Sequence, residues 1–192
     1  MILSCTGPAE SLPFDMSLLR LHCRIDEDDN SYDSILELYA RAAIRQGEFE
    51  TNRVWQNSRW TGKLNSFPTG AIMIPKSPCT GVSSIVYVAT GGTEMDFSEF
   101  FFFPSSLEWG GGMPYAEVRP ESGWPQGTDV TVTFQAGWPD DEFPSDMAQW
   151  LLVKVAGKFE QREDLASATR KIAIPFPRHF VDSLLDAWYL PR

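Results

Sequence analysis

Residues 24–53 read R-I-D-E-D-D-N-S-Y-D-S-I-L-E-L-Y-A-R-A-A-I-R-Q-G-E-F-E-T-N-R. An acidic cluster at 26–29 leads into apolar residues at helical spacing. Tyr32, Ile35, Leu36, Tyr39, Ala43 and Gln46 recur at three and four residues, with Ala42 and Phe49 on the same side or its edge. The pattern predicts one long helix fading near Thr51 or Asn52. Asp29 or Asn30 is the expected cap, and the carboxylates before it favour the positive end of the helix dipole.

Working outward, residues 15–23 (D-M-S-L-L-R-L-H-C) suit a short helix capped by Asp15, and residues 1–12 suit an extended arm. After Arg53 the composition turns to strands: 54–64, 71–74 and 82–90, then a Gly91-Gly92 hairpin turn with 94–103 as its return strand. Residues 104–114, with three consecutive glycines, read as a long loop. Residues 115–119 form a short strand. Residues 128–136 (T-D-V-T-V-T-F-Q-A) alternate cleanly, with Val130, Val132, Phe134 and Ala136 on one face. Ser145 is the expected cap of a helix over 146–162, whose stripe is Ala148, Leu151, Leu152, Val155 and Phe159. A last helix follows Pro175-Phe176-Pro177, with Phe180, Val181, Leu184, Leu185 and Trp188 facing inward.

Segregated strands and helices define an α+β fold with an antiparallel sheet. The expected organisation is a helical bundle, two helices from each end of the chain, with a small antiparallel β-sheet domain inserted. Its parts are 1–52 (arm and first helices), 53–144 (the β insertion) and 145–192 (last helices and tail).

At 192 residues the chain is about one domain long and can bury a core. A formal charge of −10 argues against nucleic-acid binding as the main task, because phosphates are neutralised by Lys and Arg. Cys5, Cys23 and Cys79 are odd in number and widely spaced, which supports neither a disulfide framework nor a zinc site and suits a reducing compartment. The opening M-I-L-S-C-T-G-P has no basic n-region, so no secretory signal is expected, and no run approaches a membrane span.

Candidate chemistry is sparse. Asp26, Asp28, Asn30 and Glu37 stand at positions one, three, five and twelve of a calcium-loop pattern, but Ser31 sits where that loop needs glycine. His22 and His179 are far apart, and neither lies near a nucleophile motif. Asp140, Asp141 and Glu142, with Trp124 and Trp138, match the residue types of a glycosidase or carbohydrate-binding module. Gly110-Gly111-Gly112 lacks the Lys-Ser/Thr of a phosphate loop. Lys154, Lys158, Arg162, Arg170 and Lys171 place basic charge around the third helix. No cofactor is implied.

Several modest motifs recur in a set order: L-R-L-H-C-R-I-D at 19–26, Y-D-S-I-L-E-L-Y-A-R-A-A at 32–43, F-P-T-G at 67–70, I-M-I-P-K-S-P at 72–78, V-S-S-I-V-Y-V at 82–88, V-T-V-T-F-Q-A-G-W at 130–138, F-P-S-D-M-A-Q-W-L-L-V at 143–153 and W-Y-L-P-R at the end. Their order and spacing over roughly residues 12–192 resemble the head–tail connector (neck adaptor) proteins of tailed bacteriophages. The stretch 100–114 is the part least like that family.

The resemblance implies a non-enzymatic virion subunit, assembled in the host cytoplasm. It implies a ring, commonly of twelve copies, docked under the portal protein and bound by a further neck or tail protein. Double-stranded DNA passes through such a ring without specific binding, and no membrane is involved. Tyr32, Leu36, Tyr39, Phe49, Lys154, Lys158 and Arg162 are then the expected ring-interface residues. Trp188, Tyr189, Leu190 and Arg192 would face the portal. Leu107, Trp109 and Met113 would form a contact loop for the neighbouring neck or tail protein. Another tail-completion protein and the carbohydrate-binding module stand as alternatives.

Overall fold

A computed structural model describes residues 1–105, 114–164 and 181–190. The described elements are mixed helix and antiparallel sheet, in agreement with an α+β class. The chain divides into two compact units. One holds Met1–Glu10 and Gln56–Trp138 together with Leu190–Arg192, and the other holds Ser11–Trp55 and Pro139–Tyr189.

Among the described residues the first unit carries eight strands: β1 (Ile2–Gly7), β2 (Ser58–Ser66), β3 (Ile72–Ile74), β4 (Cys79–Ala89), β5 (Glu94–Asp96), β6 (Phe100–Phe103), β7 (Ala116–Pro120) and β8 (Gly127–Ala136). They form not one sheet but two, a five-stranded sheet in the order β1-β2-β8-β4-β5 and a three-stranded sheet in the order β3-β7-β6. Every pairing within them is antiparallel.

The alternating 128–136 stretch becomes β8, the middle strand of the larger sheet. Val130, Val132, Phe134 and Ala136 are fully buried, as their period of two requires. The 1–12 arm contributes β1, which pairs with β2 from Ile2↔Lys63 to Gly7↔Arg59. The expected return strand 94–103 breaks at residues 97–99. Its first part, β5, closes the hairpin on β4 around Gly92 (φ 80°), and its second part, β6, joins the other sheet. The Phe97 N–H still donates to the Ile85 carbonyl of β4 (2.8 Å), while its ring enters an aromatic cluster with Phe67, Trp124 and Phe100, with Phe67 and Trp124 stacked at 4.9 Å. Gly137 (φ 106°) ends β8 where a Cβ would strike the backbone of Gln56.

The second unit holds α1 (Met16–His22), α2 (Asp33–Thr51), α3 (Ser145–Asp164) and a 3-10 helix over Ser183–Trp188. The expected last helix therefore tightens into a 3-10 turn where it is described. The expected caps also differ. Asp15 occupies the N-cap of α1 but makes no side-chain cap bond. The N-cap of α2 is Tyr32, while Asp29 accepts bonds from the Ser31 N–H (3.0 Å) and Oγ, one turn too early to reach the helix. Asn52, in the left-handed region at φ 56°, stops α2 where the sequence predicted.

The buried face of α2 is Leu36, Ala40, Ala43, Ile44, Gly47 and Thr51. That is rotated from the expected stripe, and Ala42, Gln46 and Phe49 are exposed. Close approach causes the rotation. The ring of fully buried Trp55 folds back onto Gly47, and a Cβ there would fall inside the indole. Trp55 Nε1 donates to Thr51 Oγ1 (2.9 Å), and its backbone N–H donates to Glu48 (2.9 Å). The same indole packs edge-on against Trp150 of α3 at 5.5 Å. α3 buries Met147, Trp150, Leu151 and Val155, again turned from the expected stripe, so that Trp150 faces inward.

These contacts separate two glycine-to-alanine changes by sign. Helix propensity alone favours alanine by about 1 kcal/mol. Gly157 of α3 has open space around its Cβ position, so Gly157→Ala is expected to raise the melting temperature. Gly47→Ala must displace a caged indole, an overpacking cost of about 1–3 kcal/mol, and is expected to lower it. Thermal denaturation of the two variants decides this, and shifts of the same sign would refute the packing account.

Candidate assembly surfaces

The acidic turn before α2 is held by charge and backbone contacts. The guanidinium of Arg20 on α1 grips Asp33 through two nitrogens, with Nε–Oδ1 at 2.8 Å, and also donates to the Glu27 carbonyl (2.8 Å). This hydrogen-bonded pair holds the Asp33 carboxyl below its ordinary range and raises Arg20 above its own. Glu37, the twelfth residue of the calcium-like spacing, lies inside α2 and accepts from Arg41 Nε (2.9 Å). The helix thus winds up the segment that a calcium loop would keep open. Among the described residues no group of three or more His, Cys, Asp or Glu is placed to hold a metal ion.

The carbohydrate alternative needs exposed indole platforms. Trp138 is buried, and Trp124 lies against Phe67 with its Nε1 donating to the Gly70 carbonyl (2.6 Å). Asp140, Asp141 and Glu142 form an exposed 3-10 turn in which Asp140 accepts from Ser11 Oγ (3.2 Å). His22 is exposed, and His179 lies outside the described residues. Cys79 is buried with its thiol pushed up to about 12, while Cys5 is exposed.

The expected ring residues separate into three kinds. Leu36 is fully buried inside its own unit and has no surface to give a partner. Tyr32 is half-buried with its ring edge-on to Phe159 of α3 at 5.4 Å, and Tyr39 is half-buried. Phe49, by contrast, is 69% exposed. Leu38, which the sequence pattern did not select, is 60% exposed. Leu38, Ala42, Arg45 and Phe49 follow at four, three and four residues, so they form one outward row on α2. An apolar residue out of phase with the buried stripe was the available signal for Leu38.

Lys154 pairs with Asp182 (2.8 Å) and sits over the Trp150 ring, so its charge is answered within the unit. Lys158 is half-buried, and the side chain of Arg162 lies outside the described residues.

Of the expected portal-facing group, Trp188 is buried. Arg53, itself buried, donates from Nε to the Trp188 carbonyl (2.7 Å) and lies 5.9 Å from its ring. Burial pulls the Arg53 pKa down. Trp188 is thus an anchor, and the chain beyond it emerges through exposed Tyr189 and half-buried Leu190. Burial and the neighbouring Glu50, Asp186 and Asp182 raise the Tyr189 hydroxyl pKa. Arg192, Leu107, Trp109 and Met113 lie outside the described residues.

No protein-family model and no curated protein sequence matches the chain. Solved structures do. A chain from the neck of an empty GTA particle computed with C6 symmetry superposes with a TM-score of 0.74 at 21% identity, covering 100% of this chain and 97% of that one. A chain from the virion of a native gene transfer agent (GTA) particle gives 0.74 at 20% identity with the same coverage. The neck of a native GTA particle computed with C12 symmetry gives 0.70 at 22%, again over 100% and 97%. The full-length fold is therefore one found in neck assemblies of phage-like particles, and the resemblance read from the motif order holds at the level of fold.

Two outcomes follow from the site chemistry. Arg53→Met removes a donor from the buried Trp188 carbonyl. It is expected to cost about 1.5–3 kcal/mol, the range for a hydrogen bond to a charged group, and to speed proteolysis after the 3-10 turn. An unchanged denaturation curve would count against the anchor. The Asp33 pKa is depressed on folding, so its stabilisation is present above the unfolded value of 3.8 and fades as pH falls through the lower folded value. Asp33→Asn should therefore be less stable than the parent at neutral pH, with the gap closing below about pH 3.8. A gap that stays constant into acid would show that the pair does not titrate in this way.

Proposed function

We propose that this chain is a structural subunit of the neck of a tailed-phage-like particle, a head–tail connector that assembles with copies of itself into a ring beneath the portal. One observation carries the reading: the whole chain, without large unmatched parts on either side, shares its fold with chains of neck assemblies computed with C6 and C12 symmetry. The outward row on α2 supports it, since two of its four residues, Leu38 and Phe49, are large apolar side chains left exposed.

In this reading the helices within 1–52 and 145–192 build the ring body, and the β segment 53–144, which β1 joins, is the insertion. The outward row of α2 that ends at Phe49 meets the next copy. Tyr189, Leu190 and Arg192 reach the portal, with buried Trp188 fixing where that tail begins. Leu107, Trp109 and Met113 meet the next neck or tail protein. The ring extends the channel through which DNA is packaged and ejected. A net charge of −10 lets double-stranded DNA pass without adhering. No catalytic step is assigned.

Emptied capsids bearing their portal provide the test. The purified chain should bind them and appear in electron micrographs as an added ring, and particles made without it should accumulate as heads without tails. Normal head–tail joining in its absence would reject the proposal. Leu38→Asp changes an exposed position of the same outward row, so monomer stability should move by no more than about 0.5 kcal/mol. The same variant should lose ring formation, and full assembly by it would remove α2 from the interface.

A further inference from the structure

The first unit presents four sheet edges, and they are not alike. β5 is three residues long and carries Glu94 and Asp96. β3 is also three residues long and is followed by Pro75 and Lys76. Short strands, charge, proline and lysine are the means by which proteins keep an edge from pairing with another chain. The other two edges are longer and carry no charge within the strand, although each ends at a proline, Pro8 after β1 and Pro104 after β6. β1 (I-L-S-C-T-G) and β6 (F-F-F-F) contain no charged residue and no proline. Each is terminal in its sheet among the described residues, so each offers one unpaired ladder of backbone groups.

Their exposed side chains are apolar as well. Ile2 is 73% exposed, Phe101 55% and Phe103 44%. On β7 beside them, Arg119 lies 4.9 Å from the Phe103 ring and is already paired with Glu117, so that face carries no unanswered charge at its centre. Ser105 Oγ, just past β6, accepts the Cys79 N–H at 2.6 Å and ties the end of the strand to β4.

We propose that β6 of one copy pairs with β1 of the next, adding strand to strand across the boundary between subunits. This rests on the self-assembly proposed above and names the edges that carry it. Two arguments select a second copy as the occupant. A head-to-tail ring needs two different, complementary patches on every subunit, and among the described residues the unit has two longer, uncharged edge strands beside two of three residues. Copies of a chain with charge −10 repel, so they approach most cheaply where acidic charge is absent; neither edge strand carries any, and the charged residues opposite β1 on β2 are the cations Lys63 and Arg59. Main-chain hydrogen bonds would supply the pairing, and Phe101 and Phe103 would lose water against the neighbour.

The native cysteines allow a direct test. Cys5 lies exposed in β1 and Cys79 is buried, so in a Cys23→Ser background Cys5 is the one reactive thiol. Paired strands bring Cα atoms to about 4.5–5.5 Å, within reach of a disulfide. Phe101→Cys and Phe103→Cys, each added to that background, should give covalent ladders on oxidation of the oligomer, formed in solution or on emptied particles. Cys5→Ser should abolish the ladders, and Glu94→Cys on the guarded β5 edge should give none.

Hydrogen exchange on the unmodified protein tests the same pairing should a variant misfold. Amides in β1 and β6 should gain protection on assembly, and those of β5 should not. An oligomer without Cys5-dependent ladders, or with exchange at β1 and β6 unchanged, overturns the edge pairing and leaves the ring standing. Absence of any oligomer, with the unaltered chain included, overturns both.

Discussion

The packing of Trp55 onto Gly47 fixes the helical unit. Gly47 is the point on α2 where the backbone is bare, and the indole fills that notch while facing Trp150 of α3 edge-on. Phe143 approaches the same ring at 6.1 Å. Aromatic pairs of this kind contribute about 0.5–1.5 kcal/mol beyond their buried area. The indole N–H finds Thr51, so the burial leaves no polar atom of that ring unanswered. From this one contact follow the rotation of α2, the inward turn of Trp150 and the position of Arg53, two residues before Trp55. Arg53 in turn holds the last described turn of the chain by the Trp188 carbonyl.

Much of the fold was legible because it follows from period and punctuation. The alternation of β8 permits one buried face only, and that face is the one observed. The end of α2 was set by Asn52, which tolerates the left-handed conformation that stops a helix. The expected face of α2 holds buried Leu36 and Ala43 but misses Ala40, Ile44 and Gly47. In this helix the buried positions include Ala40, Ala43 and Gly47, whose value is the space they leave to neighbours. No count of hydrophobic residues records a space. The break between β5 and β6 was hidden for a similar reason: Phe97 has strand-like chemistry, but it serves an aromatic cluster with Phe67 and Trp124, partners about thirty residues away on either side. The caps failed because Asp29 satisfies its own local turn through Ser31 before the helix begins, the competition expected of an Asx side chain.

The candidate surfaces were less legible than the fold. A catalytic site announces itself by residue type, whereas an assembly surface is made of the same residues as the core and differs only in where they point. Leu36 and Leu38 are two residues apart and identical in kind, yet one is fully buried and the other lies open. Trp188 fits the inward stripe expected of the last helix and not the outward contact the resemblance implied: a buried arginine holds it, and Tyr189 beside it is the exposed aromatic.

Charge then sorts the surfaces that remain. Ions at physiological strength screen interactions beyond roughly 8 Å, so the net charge of −10 acts mainly between faces that nearly touch. An assembly of copies can therefore carry this charge on its solvent-facing walls, provided the contact faces themselves are neutral or matched. The chain meets that condition in specific places. Arg20 with Asp33, Arg41 with Glu37 and Lys154 with Asp182 pair three of the sixteen Lys and Arg inside one unit. The exposed apolar side chains include Leu38 and Phe49 on one helix, Phe101 and Phe103 on one strand and Ile2 on another. Apolar contact has no intrinsic direction, so orientation must come from backbone pairing and shape. An open strand edge, with its fixed spacing of donors and acceptors, supplies direction where side-chain charge does not.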